Sequence, residues 1–235
     1  MKILKNIRNS FFLFAILLSG FSNLDAKNSK DVSNTEVKRK TISHKKKYSL
    51  TLANSKDGHP VRSGKKSYRF EVRLGDCGKD SGHDDCKKDR QRTELQFKKH
   101  QMGKKDHWYS ASIYLPEDYQ SVAPVRTTFA QLYEKGWKPI LMITDRSGEW
   151  LEVGRMWSGE YVEMKKAIRI NDMRGKWTDV LINARYSREE NGFMKVWINN
   201  KLILNAENIK NITPYTKRGV GLDFGIYQTF VIWWK

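Results

Sequence analysis

The feature that most constrains this chain is a two-residue alternation that recurs in short segments from Tyr48 onward. In Tyr68-Arg69-Phe70-Glu71-Val72-Arg73-Leu74 every second residue is apolar. Tyr68, Phe70, Val72 and Leu74 therefore share one face of a strand, and Arg69, Glu71 and Arg73 the other. A helix would scatter the same set around its circumference. Trp108 to Leu115, stopped by Pro116, reads as a second strand. Thr127 to Tyr133 and Ile140 to Thr144 bracket a turn containing Gly136 and Pro139, and Trp177 to Tyr186 alternates again. Gly192 to Ile198 and Lys201 to Leu204 flank Asn199-Asn200, and Asn tolerates the positive φ that tight hairpin turns demand. Gly225 to Trp233 reads as the last strand. No helix-period segment of useful length and no internal repeat accompany these strands. The pattern predicts an all-β fold, a β-jelly roll in the manner of a concanavalin-like two-sheet sandwich.

Two segments of different character precede the strands. Lys2, Lys5 and Arg8 form a basic stretch, Phe11 to Leu18 is unbroken and apolar, and Leu24-Asp25-Ala26 offers a small residue before Lys27. That is the build of a secretory signal peptide over residues 1–26, its apolar run too short to hold a bilayer. Residues 27–47 are Lys-rich and poor in aromatics, and read as a basic disordered leader. The predicted β-domain occupies 48–235, and the expected location is periplasmic or extracellular.

Export gives the cysteines a meaning. Cys77 and Cys86 are the only two in the chain, and in an oxidising compartment such a close pair reads as a disulfide closing a short loop. The alternative, a metal pair with His83 and Asp84 or Asp85, lacks a second ligand pair at zinc spacing. The formal net charge of +18 implies a polyanionic partner or an anionic surface. Removing the signal peptide, with three bases and Asp25, leaves +16. The expected partner is an acidic polysaccharide rather than nucleic acid or a membrane, and the expected state is a monomer.

The most informative stretch is Asp84-Asp85-Cys86-Lys87-Lys88-Asp89-Arg90-Gln91-Arg92-Thr93-Glu94-Leu95. On a strand, Arg90, Arg92, Glu94 and Gln96 share a face, opposite Thr93, Leu95 and Phe97. An Arg beside a same-face Glu is held in one orientation, so its planar fork can meet a carboxylate. The competing reading is a structural Arg–Glu pair on an outer face. Here the chain resembles the jelly-roll polysaccharide lyases, in particular the heparin lyase I and glucuronan lyase group. The resemblance lies in Arg92-Thr93-Glu94-Leu95 and in the block from Arg69-Phe70-Glu71-Val72-Arg73 through Gly75-Asp76-Cys77 to Asp89-Arg90. It continues through Trp108 to Pro116, Gln131-Leu132-Tyr133, Gly175 to Asp179, Gly192 to Asn199 and Phe224-Gly225-Ile226-Tyr227.

Breaking a 4-linked uronate by β-elimination requires that the C6 carboxylate be neutralised, that a base take the C5 proton, and that an acid protonate O4. The resemblance assigns Arg92 and Gln131 to the first task and Tyr227 to the acid, and often also the base. Arg73, Glu71, Arg90, Glu94, Lys217 and Gln228 are the candidate substrate-binding residues. Two positions depart from the family. Tyr133 stands where a Gln-x-His motif supplies an imidazole, and Asp223 stands where a lysine precedes the tyrosine by four residues. Three outcomes follow: Tyr133 is activated as a base, Tyr227 is the base alone, or the chain is a catalytically impaired carbohydrate-binding protein on the same scaffold.

Other residues rank lower. His59, His83, His100 and His107 are scattered and read as surface or loop histidines. Trp108, Trp177 and Trp197 are expected in the core, while Trp137, Trp150 and Trp157, beside turn glycines, suit sugar stacking. Elimination requires no cofactor. Structural calcium would suit Asp172 or Asp179, but no calcium-loop spacing identifies a metal site. A glycoside hydrolase would want paired carboxylates on one groove face, and Glu149 and Glu152 are not same-face neighbours. Net charge alone supports a nucleic-acid binder.

Overall fold

A computed structural model describes residues 9–14, 37–39, 46–80, 83–97, 105–134, 138–216 and 219–229. Two seven-stranded sheets carry the fold. The first runs, in spatial order, β15 (Lys201–Ile209), β14 (Gly192–Ile198), β13 (Trp177–Arg185), β8 (Asp106–Tyr114), β1 (Asn9–Phe14), β4 (Lys66–Val72) and β3 (Leu50–Asn54). The second runs β12 (Glu160–Arg169), β11 (Trp150–Trp157), β10 (Pro139–Asp145), β9 (Arg126–Glu134), β16 (Val220–Thr229), β7 (Arg90–Phe97) and β2 (Val37–Arg39). Neighbouring strands in both sheets pair antiparallel. The short β5 (Lys79–Asp80) and β6 (His83–Asp84) pair with each other beside the disulfide loop. A single helical turn, α1 (Ile170–Met173), follows β12. Among the described residues no helix is long and apolar enough to cross a membrane.

The alternation decides which faces meet. Phe70 and Val72 of β4 turn inward onto Leu95 and Phe97 of β7 and Leu222, Phe224 and Ile226 of β16, all buried. Phe224 anchors this layer, edge-on to Phe70 at 6.0 Å and tilted against Phe97 at 5.8 Å. Each such ring contributes about 1.5–3 kcal/mol by leaving water. With odd-numbered Leu95 and Phe97 facing the core, Arg90, Arg92, Glu94 and Gln96 must face away from the first sheet.

The hairpin at Asn199-Asn200 forms as predicted, with φ of 48° and 65°. Several readings of the strands and tryptophans need correction, and two segments ahead of Tyr48 also pair as strands without deciding their fate on export. Leu74 lies beyond the end of β4 and is exposed, so the alternating face stops at Val72. Val37–Arg39, inside the stretch read as disordered, pairs with β7. Asn9–Phe14, inside the stretch read as a signal peptide, pairs as a strand with β4 and β8. The strands β11 and β12 carry no alternation: β11 is buried on both sides, and β12 is a charge-rich edge strand of the kind that discourages further pairing. Trp108 and Trp197 are not core residues. They stack half-buried on the outer face of the first sheet, centroids 5.9 Å apart, and Trp177 packs there against Tyr114.

Candidate active site

Arg92, Glu94, Gln131, Tyr133 and Tyr227 converge on the outward face of the second sheet, from the adjacent strands β7, β16 and β9. Register places them. Tyr227 stands opposite Arg92, and Gly225 opposite Glu94. On the β9 side the pairing shifts between Phe224 and Tyr227, a bulge that keeps Tyr227 on the Arg92 face. Gly225 makes the bulge possible. Its φ is 139°, and a Cβ there would lie 2.3 Å from the Thr93 carbonyl oxygen and 2.9 Å from Glu94 Cα.

Arg92 is buried, and its forked edge is occupied. Nε donates to Asp85 Oδ2 at 2.8 Å and Nη2 to Asp85 Oδ1 at 2.7 Å, while Nη1 reaches Glu94 Oε2 only at 3.5 Å. The expected orienting Glu is therefore secondary, and the principal partner is Asp85, itself fully buried. Asp85 is fixed by its loop: its N–H donates to the Gly78 carbonyl at 3.0 Å, and its carbonyl accepts from Arg90 at 2.9 Å. Cys77 and Cys86 close that loop as a disulfide, Cα atoms 5.2 Å apart. Two carboxylates hold the Arg92 guanidinium protonated far beyond any accessible pH, against the opposing effect of burial.

The Tyr227 ring lies on this guanidinium, with Arg92 Cζ 4.1 Å from its centroid and Arg90 Cζ 5.9 Å away. Burial raises the phenol above its ordinary range, Glu94 pushes the same way, and Arg92, Arg90 and Arg126 pull it back. Gln131 Nε2 donates to Glu94 Oε1 at 3.0 Å, which ties β9 to β7 across β16. Tyr133 shares the face but is a poor base. Burial, Asp223 and Glu94 raise its phenol well above the ordinary range. Gln96 Nε2 donates to the Tyr133 hydroxyl and, at 3.0 Å, to Asp223 Oδ1. The face thus has an acidic end, with Glu94 and fully buried Asp223, and a basic end, with Arg90, Arg92 and Arg126.

Other predicted positions lie elsewhere. Glu71 belongs to β4 in the first sheet, its carboxylate held by Arg69 and, at 2.7 Å, by Arg73 Nε. Both Glu71 and Arg73 are thereby corrected from groove residues to members of a structural cluster with Tyr48, over whose ring Arg73 sits at 3.7 Å. Gln228 faces the core, accepting from Gln91 Nε2 at 2.5 Å and donating to Thr127 Oγ1 at 3.2 Å. It is corrected for a parity reason: it neighbours Tyr227 in sequence and so must point the other way. Lys217, Trp137 and His100 lie outside the described residues, as does the His83 side chain. His107 stacks on Tyr186 in the first sheet, and its burial lowers the imidazole.

Among the described residues no three His, Cys, Asp or Glu side chains group as a metal site. Of the two calcium candidates, Asp179 is held by Arg62 and Ser112, and Asp172 is exposed. Sequence reading missed Asp85 as a partner of Arg92 and missed Arg126 and Tyr161 altogether. Arg126 Nη1 lies 3.4 Å from the Tyr161 hydroxyl, and the Tyr161 ring covers Gly154, where a Cβ would meet it at 2.3 Å. The glycine inside the β11 sequence was the available signal, since a strand glycine marks close approach of another group.

Residues 31–234 match the family described as polysaccharide lyase. No curated protein matches the chain. Among solved structures, the endo-beta-1,4-glucuronan lyase from the fungus Trichoderma reesei is similar, at 15% identity and a TM-score of 0.57. The match covers 80% of this chain and 82% of that one, a likeness of fold.

Proposed function

The chain belongs to the polysaccharide lyase family, and on that premise we propose that it cleaves an acidic, uronate-containing polysaccharide by β-elimination outside the cytoplasm. The observation that carries the reading is the Tyr227 ring lying on Arg92, flanked by Arg90, with Gln131 alongside.

In this reading Tyr227 serves as base and then as acid. As phenolate it takes the C5 proton, the C5–H electrons form the C4–C5 double bond, and the C4–O4 bond breaks. The same phenol then returns the proton to O4, which restores the phenolate. Tyr133, pushed up by burial and two carboxylates, is not the base. Arg92 takes a different part from the one the sequence suggested. With its fork on Asp85, it supplies positive charge beneath the phenolate rather than a clamp for the substrate. Gln131 spends one amide hydrogen on Glu94, and in this reading its second hydrogen, with the positive field of Arg90 and Arg126, meets the C6 carboxylate. Preorganised donors of this sort stabilise the charge that develops there when the C5 proton leaves.

The test is incubation with glucuronan, alginate, heparin and similar polymers while following the ultraviolet band of unsaturated uronates. Growth of the band on a uronate polymer is the expected result. Binding without any growth would replace the lyase reading with that of a carbohydrate-binding protein.

A further inference from the structure

We infer that strands β10 to β12 carry an extended subsite for the carboxylates of an acidic polysaccharide, built from Arg146, Tyr161, Lys166 and Trp150 and reached through Arg126. The inference rests on the proposed uronate substrate and deepens it by stating on which side of Tyr227 the chain lies.

Register puts the strand residues of this set on the face of Gln131, and Arg146 follows directly on the end of β10. Met142 pairs with Gln131, Gly154 with Met142, and Glu152 with both Thr144 and Lys166. Trp150, Glu152 and Gly154 alternate along β11, so Trp150 shares that face. Arg126 links the centre to the arm, since it acts on Tyr227 electrostatically and reaches the Tyr161 hydroxyl. Arg146 Cζ lies 4.9 Å from the Tyr161 centroid, and Lys166 Nζ 5.6 Å from that of Trp150. The arm thus alternates cations with half-buried rings, which suits a chain of sugar rings bearing carboxylates.

Charge separates these cations from their neighbours. Arg155 and Lys165 share Glu163 at 3.4 and 3.2 Å, and Arg169 pairs with Glu149. Among the described residues Arg146 and Lys166 make no ion pair, and both are exposed. Glu152 faces the same row. Burial raises its carboxyl, Asp145 adds to that, and Arg146 and Lys166 oppose it. Those two cations face a single carboxylate and retain a net positive field.

The same charge layout sets the direction of the bound chain. A polyanion running along the strands would meet Glu94 and Asp223 at one end. Running across them at the basic end, it passes Arg90, Arg126, Arg146 and Lys166 in turn. From β16 to β12 are four strand steps, about 19 Å, whereas β7 and the short β2 offer two steps, about 10 Å, on the other side. The longer, cationic side holds more of the substrate.

The experiment compares wild type with an Arg146→Ala/Lys166→Ala double variant on uronate oligosaccharides of increasing length, with affinity electrophoresis on the polymer. Lys201→Ala, exposed on the first sheet, is the control. In wild type kcat/KM climbs with length. The double variant is expected to lose that climb, falling at least tenfold below wild type on hexamer, with the loss in KM, and to migrate less retarded in the polymer gel. A double variant that tracks wild type at every length overturns the arm and leaves the lyase reading intact. A wild type that makes no unsaturated product, yet loses polymer retardation in the double variant, keeps the arm and overturns the elimination chemistry.

Discussion

Replacing Asp85 with Asn tests the inner arrangement most directly, because it removes one charge and little volume. Asp85 is fully buried and supplies both oxygens to the fork of Arg92, which is itself nearly inaccessible. Taking away one partner of a buried ion pair leaves an uncompensated charge and costs about 3–5 kcal/mol. Glu94 remains 3.5 Å from Nη1 and offsets part of this, so the lower end, about 3 kcal/mol, is expected. For a domain of this size each kcal/mol moves Tm by about 2–4 °C, giving a fall of roughly 6–12 °C. Reversible urea unfolding gives the free energy directly, and a cycle with Arg92→Met isolates the coupling between the two side chains. The same variant loosens the guanidinium under Tyr227, so turnover should fall as well. A stability loss below about 1 kcal/mol would mean that Asp85 does not hold Arg92 in solution, and the account of the site would fail with it.

Four further outcomes follow from the same geometry. Tyr227→Phe removes only the hydroxyl and should lower kcat by roughly 10²–10⁴-fold while polymer retardation is kept; full activity would exclude Tyr227 from the chemistry. The working form is the phenolate and the folded-state phenol is raised, so kcat should climb from neutral into the alkaline range. A pH profile already falling between pH 7 and 8 would contradict the single-tyrosine route. Gly225→Ala forces a Cβ against Thr93 O and should cost about 2 kcal/mol or more, read by urea unfolding. Protein recovered from the medium of an expressing culture should begin at Lys27 by intact mass, and a secreted species retaining Asn9–Phe14 would show that residues 1–26 stay in the fold.

What the sequence disclosed depended on parity. Wherever one face is buried and the other wet, alternation names both, and so Phe70 and Val72 could be assigned to the core and Arg92 and Glu94 to one shared face. It failed where both faces are covered, as in β11, and where an edge strand carries charge throughout, as in β12. The tryptophans misled because an aromatic on a strand reads as core, whereas Trp108 and Trp197 cover the outside of the first sheet by stacking on each other. Parity also has no bearing on which sheet a strand joins. Glu71 and Arg73 looked equivalent to Arg92 and Glu94, yet β4 lies in the opposite layer. The partner of Arg92 was hidden for another reason: Asp85 reaches it from a loop closed by a disulfide, a contact that no strand period encodes.

The two departures at Tyr133 and Asp223, which looked like separate defects, form one unit in the structure. Gln96 donates to both, burial together with Asp223 and Glu94 holds the Tyr133 phenol protonated, and Gln131 is tied to Glu94. An imidazole in place of Tyr133 would face two buried carboxylates and be drawn to its charged form, which cannot accept a proton. A neutral phenol at that position keeps the acidic end fixed and inert. On the proposed reading basic work is thereby left to Tyr227, on which Arg92, Arg90 and Arg126 act. Replacing Tyr133 by His without also neutralising Asp223 should therefore add no base to the site.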